Sequence, residues 1–171
     1  AFCDMRSRFH EGEALFREAA QRLAPDAGEP PDGAWAVALL SWFDMRLYIA
    51  RLESYEEVDS QARGCLNQCL LREDAQGMAA SLTLLGAIAE HQARFGTAIG
   101  YFQQAMKAYP ALDAIYWVEM RIGLCYQADR QYSEALQTFL GSLERGRRTG
   151  ERVKTGWSLQ NIGDTLVFQG Q

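Results

Sequence analysis

Apolar residues in this chain recur every three or four positions. Over 10–24, Ala14, Phe16, Ala19, Ala20 and Leu23 gather towards one side, and over 55–71 Val58, Ala62, Cys65 and Cys69 form one stripe. That period is helical, and nowhere do β-branched residues alternate with polar ones over a useful length. The pattern predicts helices over 1–8, 10–24, 33–52, 55–71, 76–93, 95–108, 112–128, 132–148 and 151–169, an all-α chain. Three of the four prolines lie between 25 and 31, so Pro25–Gly33 is expected as a loop and the rest is left free for helix. Residues 1–8 read as the end of a helix begun earlier, so the chain is expected to be a piece of a longer protein.

One motif occurs twice between 82 and 139. Leu82, Leu85, Gly86 and Ala89 share a helix, followed by Ala98, Phe102, Ala105 and Pro110 on and after the next. Thirty-seven residues on, Ile122, Gly123 and Tyr126 are followed by Ala135, Phe139 and Ser142. In register, the second-helix small slot reads Gly12, Val58, Ala98, Ala135, and the aromatic slot four later reads Phe16, Ala62, Phe102, Phe139. The first-helix small slot reads Arg46, Gly86, Gly123, Gly163. Self-similarity at intervals of 46, 40 and 37 residues is the signature of stacked helical hairpins. A glycine or alanine at a crossing lets two helix axes approach within about 8–10 Å. The aromatic is then expected to fill the wedge towards the next hairpin.

These slots resemble the tetratricopeptide repeat, W-x2-L-G-x2-Y…A-x3-F…P. Trp42 fills the tryptophan slot; Leu85-Gly86, Ile122-Gly123 and Ile162-Gly163 fill the Leu-Gly pair; Tyr126 fills the tyrosine slot and Pro110 the closing proline. The second copy departs from the pattern at Arg46 and Ala62. The resemblance implies a right-handed α-α superhelix, a solenoid of about four and a half hairpins forming a single array over 1–171. A partial repeat would occupy 1–24, full repeats 33–71, 76–108 and 112–148, and the first helix of a fifth 151–171. Intervals near 40, with the texture Tyr132-Ser-Glu-Ala-Leu…Trp157-Ser-Leu-Gln-Asn-Ile-Gly163, also resemble the repeats of bacterial STAND-class signalling and transcriptional regulators. No Walker-type loop or DNA-binding helix pair is legible, so such activities would lie elsewhere in a parent protein.

The resemblance further implies a partner held in the concave groove lined by first helices. On this chain that face holds Phe43, Leu47 and Arg51; then Thr83 and Glu90; then Trp117, Arg121 and Gln127; then Trp157, Gln160, Asn161 and Asp164. Aromatics and arginine beside amides suit a recognition surface. Trp117 and Trp157 could equally pack between hairpins. Asn161 resembles the groove asparagine that bonds an extended peptide backbone, whereas the lysine and asparagine set of chaperone-tail binders is not reproduced. The expected function is protein or peptide binding within a larger regulator. The alternatives are a small-ligand sensor using the same groove and a structural scaffold for self-assembly.

Charge and chemistry narrow this further. With 17 basic and 22 acidic residues the net charge is −5, unlike the basic face that nucleic acid requires. No apolar run approaches the roughly 20 residues of a membrane span, and no signal peptide opens the chain. Cys3, Cys65, Cys69 and Cys125 lack a disulfide-framework spacing, which suits a reducing, cytoplasmic compartment. His10 and His91 have no partner at ligand or triad spacing, and Cys65 with Cys69 would supply only two metal ligands. No enzyme, cofactor or metal is expected. Leu159, Ile162, Leu166 and Phe168 on the last helix lack a hairpin mate, so end-to-end self-association is expected.

Overall fold

The computed structural model describes residues 2–24, 26, 33–48, 55–109 and 112–170, with side chains described outside 2–10, 44–48, 57 and 112–117. The described residues form eight α-helices: α1 Phe2–Arg22, α2 Gly33–Tyr48, α3 Tyr55–Leu71, α4 Ala75–His91, α5 Phe95–Ala108, α6 Leu112–Ala128, α7 Tyr132–Thr149 and α8 Arg152–Gln169. Among the described residues there is no strand, and the protein is all-α. The first two expected helices are one. Between Phe2 and Arg22 nothing but Gly12 opposes helix, and one interior glycine costs only about 1 kcal/mol, too little to end a run of good helix formers. Most of the Pro25–Gly33 loop, Arg51 and Pro110 lie outside the described residues.

Four of the turns are built alike. Glu73, Ala93, Arg130 and Gly150 each take a positive φ of 55° to 74°. The next residue in each case donates its N–H to the carbonyl five back: Asp74 to Cys69 (2.9 Å), Arg94 to Ala89 (2.9 Å), Gln131 to Tyr126 (2.8 Å) and Glu151 to Gly146 (2.9 Å). The same residue's carbonyl then accepts the first N–H bond of the following helix, from Met78, Ala98, Ala135 and Thr155 respectively. One left-handed residue thus closes one helix and sets the start of the next two positions later. Only Gly150 announces this in the sequence. The other three positions spend about 1–2 kcal/mol each on a left-handed non-glycine residue.

The chain forms two compact units, Ala1–Ile88 and Ala89–Gln171, the boundary falling inside α4. In the first, α1 packs on α2 and α2 on α3. Trp42 Nε1 on α2 donates to Glu13 Oε1 on α1 at 2.8 Å. Ala36, Cys65, Cys69 and Ala80 form a buried cluster joined by Trp35, Leu40 and Met78. Small residues dominate it because three helices meet there.

In the second unit α5 packs on α6, α6 on α7 and α7 on α8. Phe102 lies fully buried among Ala89, Ala98, Ile99, Val118, Ile122 and Cys125. Phe139 sits with Ala135 and Met120, and Leu124, Tyr126 and Ile162 close over them. A Cβ on Gly123 would stand 2.7 Å from Phe139 Cζ and 2.9 Å from Cδ1, closer than any real Cβ contact, so only glycine admits the ring. The aromatic therefore fills the crossing inside its own hairpin as well as reaching Ile162 of the next helix, rather than serving the outer wedge alone. Arg145 on α7 pairs with Glu119 on α6. Burial raises the Glu119 carboxyl above the usual glutamate range, and the Arg145 guanidinium opposes that shift without cancelling it.

Candidate recognition surface

Of the residues expected to line the groove, Glu90, Arg121, Gln127, Trp157, Gln160, Asn161 and Asp164 lie in the second unit. Arg121 on α6 donates through Nε (2.8 Å) and Nη2 (2.7 Å) to Glu90 Oε2 on α4. Its guanidinium also lies over the Phe102 ring, 5.2 Å from the centroid. Two expected groove residues thus hold each other against the core. Gln127 Nε2 on α6 donates to Thr165 Oγ1 on α8 at 2.9 Å, and Thr165 Oγ1 donates to the Asn161 carbonyl at 2.6 Å. That chain of bonds clasps α8 to α6. Gln127 and Arg121 are half-buried and spend their polar groups within the fold.

Asn161 is buried, and its Nδ2 donates to the Trp157 carbonyl one turn earlier at 2.8 Å. Trp157, Gln160 and Asp164 are exposed on α8 at positions that share one helical stripe. Trp157 keeps 45% of its surface. In the first unit, Phe43 is 2% exposed and belongs to the core, and Thr83 donates its hydroxyl to the Ala79 carbonyl at 2.7 Å. The side chains of Leu47 and Trp117, and Arg51 altogether, lie outside the described residues.

The feature that the sequence pattern left unread is the polarity of α8. Its buried side carries Ser158, Asn161 and Thr165, all polar. Its outward side carries Val153 (68% exposed), Trp157, Leu159 (48%), Val167 (72%) and Phe168 (61%). An ordinary surface helix does the reverse. Thr165 can be fully buried because its hydroxyl both donates and accepts within the unit, which removes the penalty of a buried polar group. Covering such exposed apolar side chains with a partner is favourable, which makes α8 a candidate interaction surface. On either side of the α7–α8 turn Arg147, Arg148 and Arg152 are exposed.

Cys65, Cys69 and Cys125 are free and buried. Cys65 Sγ and Cys69 Sγ stand 3.8 Å apart. Burial foremost, with Cys65 and Asp74 beside it, pushes the Cys69 thiol up to about 12; burial does the same for Cys125, to about 12. Among the described residues no group of three or more histidine, cysteine or acidic side chains is placed to hold a metal ion. Nor is any described helix long and apolar enough to cross a membrane. No protein-family profile, curated protein or solved structure matches this chain.

Proposed function

We propose that the chain is a tetratricopeptide-type α-solenoid that binds a protein segment in extended form, as the interaction module of a larger cytoplasmic signalling or transcriptional regulator. The observation that carries this reading is α8, with Ser158, Asn161 and Thr165 turned inward and an aromatic, an amide and a carboxylate presented outward. Trp157 offers a flat apolar anchor with few rotamers to lose, and Gln160 and Asp164 within two turns of it supply directional hydrogen bonds. Val153 and Val167 extend the same stripe at either end, so the surface suits a segment running along the helix. Asp164 favours a partner carrying lysine or arginine where it crosses that position.

The test is selection of binders from a random-peptide display library on the intact chain, followed by affinity measurement with Trp157→Ala and Asp164→Asn. Selected peptides carrying an apolar residue and a cation are expected, with affinity falling at least about tenfold on loss of Trp157, the scale of an interface anchor. Recovery of no binder, or binders indifferent to both substitutions, would contradict the proposal.

A further inference from the structure

We infer that Cys65, Cys69 and Met78 form a three-sulfur site for copper(I) where α3 meets α4. The site lies within the first unit and is independent of peptide binding. Cys65 and Cys69 are free thiols, 1% and 0% exposed, with their Sγ atoms 3.8 Å apart. They stand four residues apart on α3, a spacing that puts their Cβ atoms about 5–6 Å from each other. A disulfide needs about 3.5–4.5 Å between Cβ atoms, so the pair cannot close one while α3 stays helical. A shared metal ion has no such requirement. An ion about 2.3 Å from both sulfurs, the length of a zinc–thiolate bond, would see them at an angle of about 110°. That angle is far from linear, so a further donor is needed on the open side.

Spacing along the sequence offers only the two thiols; the fold adds a third sulfur. Met78, on the next helix, packs against the cluster that Cys65 and Cys69 form with Ala36 and Ala80. It is half-buried, so its flexible thioether leads from the surface to the thiols and gives an ion its way in. Gly77 keeps the place open: a Cβ there would overlap Cys69 Sγ and stand 2.6 Å from Asp74 Oδ2. Thiolate and thioether are soft donors and suit copper(I). Structural zinc and iron–sulfur sites take four ligands, and among the described residues no third cysteine, histidine or carboxylate is placed to complete such a set. On binding, two S–H bonds break, two sulfur–copper bonds form and two protons pass to solvent; copper stays monovalent and no electron moves. The product carries one negative charge. Asp74 opposes it, with Oδ2 3.9 Å from Cys69 Sγ and Oδ1 accepting the Gly77 N–H at 3.0 Å.

Anaerobic titration of the chain with copper(I), in competition with a chromogenic chelator, tests this. One equivalent is expected to leave the chelator, with a sulfur-to-copper charge-transfer band in the near ultraviolet and an affinity that rises with pH. Cys65→Ala or Cys69→Ala should weaken binding by more than about a hundredfold, beyond what loss of an outer-shell partner costs. Met78→Leu, a swap of similar volume, should weaken it by about tenfold and carries the test if the alanine variants do not fold by circular dichroism. Asp74→Asn keeps an oxygen for the Gly77 N–H and should tighten binding, and Cys125→Ala should leave it unchanged. Failure to take copper from the chelator, uptake indifferent to Cys65→Ala and Met78→Leu, uptake lost with Cys125→Ala, or a weaker site in Asp74→Asn would each overturn the inference.

Discussion

Phe139 lies across Gly123 so closely that a methyl group on the glycine would stand 2.7 Å from the ring carbon Cζ. The sequence repeats that glycine at Gly163, where no atom is within 4 Å. Identical substitutions at the two sites should therefore have opposite signs. Gly123→Ala forces the ring or its helix to move, an overpacking cost of about 1–3 kcal/mol. Gly163→Ala has room and gains helix propensity, up to about 1 kcal/mol. Urea unfolding of the two variants checks this: a lowered midpoint for the first and an unchanged or raised midpoint for the second.

The shared turn makes a second prediction. Gly150 has φ 74° and open space around it, so Gly150→Ala meets no steric neighbour and loses only the left-handed preference, about 1 kcal/mol. Ala93 holds φ 55° with no glycine to ease it, so Ala93→Gly should raise stability by up to about 1 kcal/mol, less the extra freedom given to the unfolded chain. Melting temperatures moving in opposite directions are expected, with no change in helical content.

These turns also mark how far the sequence could be read. Glycine, proline and apolar period placed the ends of α3 to α8 to within two residues, because those signals act through local backbone sterics. Glu73, Ala93 and Arg130 carry no such signal; the packing of the helices they join holds them left-handed. The same limit applies to the surface. Phe43 was legible as helical and apolar, but only its neighbours decide that it turns to the core. Trp157, Gln160 and Asp164 were legible as an outward stripe. The inward polarity of Ser158 and Thr165 was not, since it depends on Gln127 reaching across from α6.

Burial and raised pKa values near 12 keep Cys69 and Cys125 as thiols at neutral pH, and Cys65 is equally buried. The thiolate is the reactive form. Iodoacetamide at pH 8 should leave peptides containing these three residues unmodified in the folded protein and modify them fully in denaturant. Mass spectrometry after a pulse of reagent reads the difference; rapid modification of Cys69 in the native state would be the contrary result.

Glu119 sets a pH dependence. Its native carboxyl is raised above the reference value of 4.5, by burial more than Arg145 can offset, so the folded chain holds the proton more tightly than the unfolded one. Where the native state binds more protons, stability falls as pH rises. The unsubstituted chain should lose stability as pH climbs from about 4.5 through the raised pKa, and Glu119→Gln should lose less over the same interval. Urea titrations at several pH values compare the two; a variant that tracks the unsubstituted protein would contradict the shift.

The nesting of the Phe139 ring on Gly123 is the contact that fixes how α6 and α7 cross. A double-mutant cycle on Gly123→Ala and Phe139→Ala measures it directly. With Phe139 present, the alanine should destabilise; with the ring removed, the same alanine should be neutral or stabilising, a coupling of about 1–3 kcal/mol. Additive effects, with Gly123→Ala costing the same in both backgrounds, would show that the two side chains do not share the crossing.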